Sequence, residues 1–348
     1  MSAPAANAPP PVVQGDPRAI RTSPIKAILT HSATLVFAVN LLLIAFFVAL
    51  SPNHVFWSLA NAESLLRNGA EILLLSLGVA LLMGAGVFDL SVGANLVLAS
   101  VIAALAMRSL SDSGLPPIPT VVVGLIVCLI SGAVFGTING LIITKLRVNS
   151  LIATLGTLGV GSGLAQLLTN GQDIRQLPDA LQSDFALARL GFMPAPTLCA
   201  LIALVGVWAL LQYTRFGMRT LAIGSNMTAA TRAGIAVQAH IIQLAALAGA
   251  FAGFAAFVDV ARFGSTAIAS HSLDGLNAVT AVVIGGTALT GGRVSVIGAL
   301  WGAALSIILL SGLIIIRVQP FWQLVATGVV LILAVAFDQF RARSVERG

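Results

Sequence analysis

The sequence predicts an all-α, polytopic membrane protein of about ten transmembrane helices, and three observations carry that expectation. Hydrophobic residues make up 58% of the 348 residues and charged residues only 9%, whereas a soluble domain carries roughly a quarter charged residues to face water. Mean hydropathy is +1.01. The apolar runs are long, continuous and rich in Leu, Ala and Ile. They approach the roughly 20 residues a helix needs to cross a bilayer and lack the dyad alternation of barrel strands.

The elements follow in order. Residues 1–30, rich in Ala and Pro and carrying Arg18, Arg21 and Lys26, read as a disordered cytoplasmic tail; no apolar segment suits a cleavable signal. Residues 31–340 form the membrane domain, and 341–348 a cytoplasmic C-terminal tail. Within the domain the apolar runs are 32–50, 69–88, 90–107, 119–144, 149–169, 195–213, 239–260, 273–290, 294–316 and 320–338. The second and third nearly touch at Phe88-Asp89-Leu90, which predicts a turn inside the membrane. Asp89 opens the third run, and Asp274 with Asn277 opens the eighth, five spans later. An odd offset puts these ends on opposite faces and suggests an inverted five-plus-five arrangement.

Charge placement gives the topology. With both termini in the cytoplasm, the inner segments hold 12 of the 18 Lys and Arg, leaving Arg67, Arg108, Arg175, Arg189, Arg262 and Arg317 outside; this is the positive-inside bias. The basic pI is then a topology signal, since nucleic-acid binding needs a clustered basic stripe that this chain lacks. GxxxG spacings at Gly132/Gly136, Gly159/Gly163, Gly249/Gly253 and Gly298/Gly302 predict close helix packing.

Catalytic chemistry finds little support. The chain has no GxSxG, HExxH or GxxxxGK[ST] motif, so neither a hydrolase site nor a nucleotide-binding loop is expected. Cys128 and Cys199 lie in apolar runs without metal spacing, and His31, His54, His240 and His271 are scattered; no metal and no cofactor are expected. Uphill transport would then draw on an ion gradient or on a separate ATPase. Glu71 is the one carboxylate inside a run, a few residues from its outer end. That is thin for a proton relay, so interfacial or hydrogen-bonding duty is the plainer reading.

The connection 214–238 carries a different signal. Asn226 can cap a short helix through Thr228, Ala229, Ala230, Thr231 and Arg232, ended by Gly234. Such a helix suits docking into a groove on a soluble partner, or is simply a connecting turn. Asn95, Asn139, Asn277 and Thr280 are hydrogen-bonding groups inside apolar runs and hence candidate liners of a translocation path, or bridges between helices.

Four ordered stretches, within a similarity over roughly residues 35–340, resemble the permease subunits of ribose-type monosaccharide ABC importers. Residues 222–235, with Gly224, Asn226, Ala229, Ala230, Gly234 and Ile235, resemble that family's ATPase-docking pattern A-[LI]-G-x-N-x-x-A-A-x-x-x-G-I. Residues 86–93, with Asp89, Ser91 and Gly93, resemble G-G-I-D-L-S-V-G. Residues 276–292, with Asn277, Gly285 and Gly286, resemble E-L-D-x-I-A-A-V-V-[IL]-G-G-T-x-L-x-G-G, and residues 148–155 resemble V-x-x-F-I-A-T-L. Val87, Phe88, Leu151, Gly275, Asn277 and Thr280 depart from those patterns, and two acidic groups are absent from the third. The resemblance implies a non-enzymatic permease for a monosaccharide or polyol in the bacterial inner membrane. It also implies a paired second permease copy, an extracytoplasmic sugar-binding protein and a cytoplasmic ATPase that moves residues 222–235. The rival reading is a secondary transporter driven through Glu71.

Overall fold

A computed structural model describes residues 32–271, 273–319, 321–323, 325–326 and 328–329. The expected N-terminal tail with His31, most of the tenth run and the C-terminal tail lie outside the described residues. Within them the long helices are α1 (Ser32–Leu50), α2 (Leu59–Gly84), α3 (Val92–Asp112), α4 (Pro117–Lys145), α5 (Ser150–Thr169) and α6 (Ala195–Tyr213). Shorter α7 (Arg215–Ser225) and α8 (Met227–Arg232) precede α9 (Val237–Phe263), the half-length α10 (Asp274–Ile284) and α11 (Val296–Ile315). Eight of these helices are long and apolar enough to cross a bilayer, so the chain is an all-α polytopic membrane protein. Its only described strands are a two-residue pair joining Arg189 to Pro194 and Leu190 to Met193.

Helices apolar on every side belong in the interior, and α2, α3 and α9 form the centre. Leu74, Leu77, Leu81, Leu96, Val101, Leu244, Ala252 and Val258 are all buried there. Around them α1, α4, α5 and α6 expose an apolar face. On α4 that face is Ile118, Val122, Ile126, Ile130, Val134 and Ile138, while the opposite stripe of Gly124, Cys128, Gly132, Gly136 and Gly140 is buried. Gly132 and Gly136 press against Gly249 and Ala245 of α9, so closely that a Cβ on either would collide with a backbone carbonyl. Gly298 and Gly302 meet Gly285 and Ala281 of α10 in the same way. The Gly159/Gly163 spacing on α5 behaves differently: a Cβ at either would have nothing within 4 Å among the described residues.

Three element boundaries differ from expectation. The second run begins at Leu59 rather than 69, because its polar first turns find partners. Arg67 and Arg189 pair with Glu63, and the Asn61 amide donates to Phe56 O at 2.8 Å. Glu71 therefore lies midway along a 26-residue helix, not near an outer end. The eighth run gives only the 11-residue α10, about 16 Å long at 1.5 Å per residue, against a hydrocarbon core of about 30 Å. Gly286 at φ +91 ends it. Residues 214–225 are not a plain loop, for Thr214 caps α7 by accepting from Gly217 N–H.

The direction of each element follows from a few contacts. Gly292 N–H donates to Gly84 O at 3.0 Å, placing the end of α2 and the segment after α10 together at the α7–α8 end. The chain leaves α9 at the opposite end, and residues 264–271 turn back into the bundle, so that α10 starts against the start of α3. There a Cβ on Gly93 would meet His271 O, and one on Gly275 would meet Leu90 O. The two helix starts paired by the sequence echo thus abut one another, approached from opposite ends.

Candidate functional site: a capped helix, a broken-helix junction and a buried charge cluster

The segment 222–235 forms a capped helix seated on the ends of the core. Asn226 has extended backbone, and its Oδ1 accepts from Ala229 N–H at 2.9 Å. Gly234 N–H donates to Thr231 O at 3.0 Å, with Gly234 at φ +82, a conformation L side chains rarely adopt. Ala230 is buried and anchors the helix, while Thr228, Ala229, Thr231 and Arg232 are exposed. Behind it, Gly224 leaves no space for a side chain against Gly84 O and Gly292 N. The segment 222–235 therefore touches, backbone to backbone, the end of α2 and the segment after α10. Thr220 also hydrogen-bonds His240 Nε2 at 2.8 Å, which accounts for one scattered histidine structurally. Beside α8 a groove of about 530 Å³ is lined by Lys145, Met227, Thr231, Ile235 and Gln238.

The turn expected at Asp89 is a buried junction between α2 and α3. Asp89 Oδ1 accepts from Ser91 N–H at 2.7 Å and from Ser91 Oγ–H at 2.6 Å. Asn139 of α4 donates to Ser91 Oγ at 2.8 Å, and Phe88 N–H donates to Ser150 Oγ of α5 at 3.3 Å. The break in the membrane is thereby satisfied by side chains of two neighbouring helices, as irregular backbone at depth requires. Asn139 is one of the suggested path residues, and here it bridges helices. Asn95 does likewise, donating to Gly132 O at 3.2 Å, and the Thr280 hydroxyl returns to Leu276 O at 2.7 Å. Asn277 is half-buried at the start of α10.

Sequence reasoning missed a cluster around His271. Its Nδ1 lies 2.6 Å from Asp274 Oδ2 and 3.5 Å from Glu71 Oε1, and its Nε2 lies 3.2 Å from Asp259 Oδ2. Arg262 sits 3.9 Å from Glu71 Oε2. With carboxylates facing both ring nitrogens, the imidazole that satisfies the cluster donates from both. Glu71, His271 and Asp274 can each turn one ligand atom within 4.8 Å of the others. However, the 2.6 Å Nδ1–Oδ2 contact is a direct hydrogen bond, whereas ligands about 2.0–2.2 Å from a shared metal stand farther apart. The arrangement closes around protons and ties α2, α9, the returning segment and α10 together. The one available signal was the His271–Asp274 spacing; the other partners are distant in sequence.

Comparison with known proteins now identifies the class. The chain belongs to the family described as branched-chain amino acid transport system / permease component, which matches residues 61–335. Among individual relatives, it is 34% identical to the galactose/methyl galactoside import permease protein of Escherichia coli, over 88% of this chain and 94% of that one. It is 36% identical to the ribose import permease protein of Bacillus subtilis, over 82% and 87% of the two chains. It is 32% identical to the xylose/arabinose import permease protein of Sulfolobus acidocaldarius, over 88% and 85%. No solved structure matches the chain.

Proposed function

We propose that the chain is the membrane-spanning permease subunit of an ATP-driven ABC importer for a monosaccharide or polyol, residing in the bacterial inner membrane. The observation that carries this reading is end-to-end similarity to permeases whose names specify galactose, ribose and xylose/arabinose import. The family description names amino acids, but it covers a broad transport class, and the full-length sugar relatives are the more specific guide. The hydrolysing subunit is a separate protein, for the chain has no phosphate loop of its own.

In this reading the α7–α8 end faces the cytoplasm, in keeping with Arg215, Arg219, Arg232, Lys145 and Arg147 near it. Both termini are cytoplasmic by the same bias. The exposed face of α8, through Thr228, Ala229 and Arg232, docks the ATPase. Movement of α8 reaches the core through the Gly224–Gly84–Gly292 contact and the Asp89, Ser91, Gly93, Gly285 and Gly286 junctions. An extracytoplasmic sugar-binding protein delivers the solute at the opposite end. A second copy of the permease completes the path, and the Gly159/Gly163 spacing on α5, open among the described residues, suits a close contact with another helix.

The test is affinity purification of the tagged chain from its native membrane. An ATPase subunit and a second permease copy are expected in the eluate, and Arg232→Glu should lower the ATPase yield while leaving the chain in the membrane. Recovery of the wild-type chain without any ATPase counts against the reading. The buried charge cluster is the single feature favouring the rival, ion-coupled reading, because proton relays use such groups at depth. That reading predicts sugar uptake abolished by a proton ionophore.

A further inference from the structure

We infer that the space between α3, α5 and the returning segment 264–271 is a resting site for one monosaccharide ring, with Ser162 and Gln166 selecting among sugars. This deepens the monosaccharide reading above and rests on it. The cavity holds about 220 Å³, room for about seven waters at roughly 30 Å³ each, or one small polyol ring in their place. One wall is α5, where Leu158, Ser162 and Gln166 recur at one-turn spacing and so share a face. The other wall is α3, apolar and low in relief at Gly93, Ala94 and Val97, and the roof is Ile268, Ala269 and His271. A polar wall facing an apolar one matches a sugar ring, which carries hydroxyls at its edge and C–H groups on its face.

Hydrogen bonding on α5 supplies the second observation. Thr154, Thr157 and Thr169 each return their hydroxyl to a carbonyl of the preceding turn, at 2.8, 3.3 and 2.9 Å. Ser162 and Gln166, on the same helix but facing the cavity, make no side-chain hydrogen bond among the described residues. Ser162 is half-buried and Gln166 exposed, so both side chains keep hydrogen-bonding groups open to a guest in the cavity they line. The roof is held in place independently of any guest. Thr266 N–H donates to Ile174 O at 3.0 Å, Ile174 N–H donates to Thr266 Oγ1 at 2.8 Å, and Ile268 N–H donates to Asp173 Oδ1 at 2.9 Å. His271 is fixed by Asp259 and Asp274, so the charge cluster positions the roof rather than meeting the sugar.

The test is uptake of labelled galactose, ribose and xylose by cells expressing the chain with its own ATPase and binding protein. Gln166→Leu should lower uptake about tenfold and Ser162→Ala about threefold, the range expected for lost hydrogen bonds. The rate ratio between the best and second-best sugar should shift by about threefold or more. Thr169→Val, on the same helix outside the cavity, should retain wild-type uptake. A folding defect would lower every sugar by one factor, so the shifted ratio separates selection from stability. Wild-type rates in both cavity variants, or losses with unchanged ratios, would overturn the site while leaving the permease reading intact. Uptake of none of the three sugars by the wild-type importer would sink both.

Discussion

Asn226 gives α8, the proposed docking helix, its start with a single side-chain hydrogen bond, accepted from Ala229 N–H at 2.9 Å. Removing an N-cap of this kind costs about 1 kcal/mol, a factor of about 5 in the local helix population. Asn226→Ala should therefore lower ATP-driven uptake roughly fivefold, with Asn226→Asp near wild type, as read by uptake and ATP hydrolysis together. Asp89 behaves as a structural cap, since both of its close contacts come from Ser91. Asp89→Ala leaves Ser91 N–H buried and unpaired, at a cost of about 1–3 kcal/mol. A lower unfolding temperature in detergent is expected, and Asp89→Asn should recover most of it. At this scale the cap was legible because capping is written in a few consecutive residues. The His271 cluster was not, since Glu71 and Asp259 reach it from helices far away in the chain. Glu71 also looked peripheral, because the paired Glu63 and Arg67 disguise the first turns of α2.

Among elements, two GxxxG helices that look alike in the sequence have different fates. Gly136 of α4 faces the Ala245 carbonyl of α9, whereas Gly163 of α5 has open space around it. Gly136→Leu should thus abolish accumulation of folded protein, and Gly163→Leu should leave the single chain folded. Size-exclusion chromatography and thermal unfolding in detergent distinguish the two outcomes; equal destabilisation by both would contradict the packing described. Spacing alone announces a small-residue face but not which neighbour covers it. The short α10 was likewise hidden. Its hydropathy continues through the Gly285–Gly286 stop, and only backbone geometry shows that the helix ends there. The preceding break at Asp89 was visible because a carboxylate interrupts two runs, and its satisfaction by Asn139 required the fold.

The whole molecule joins a capped helix, α8, to the end of α2 and the segment after α10 through close glycine contacts, and the starts of α3 and α10 abut deeper in the bundle. Such contacts transmit displacement without slack, because backbone meets backbone at Gly224, Gly84 and Gly292. Gly224→Leu should accordingly uncouple hydrolysis from uptake, with ATPase turnover retained and sugar flux lost. The overall class was legible from composition and hydropathy, since few charges over this length admit only a membrane bundle. The engine was not legible from physics alone: a buried cluster of three carboxylates and a histidine resembles ion-coupling machinery, whereas the similarity to sugar import permeases supports the ATP-driven proposal. The direct test is reconstitution of the chain in liposomes with its ATPase and binding protein, followed by labelled-sugar uptake. Uptake should require ATP and the ATPase subunit and persist when a proton ionophore collapses the gradient. Uptake by the chain alone, driven by an imposed ion gradient and lost on Glu71→Gln, would contradict the account.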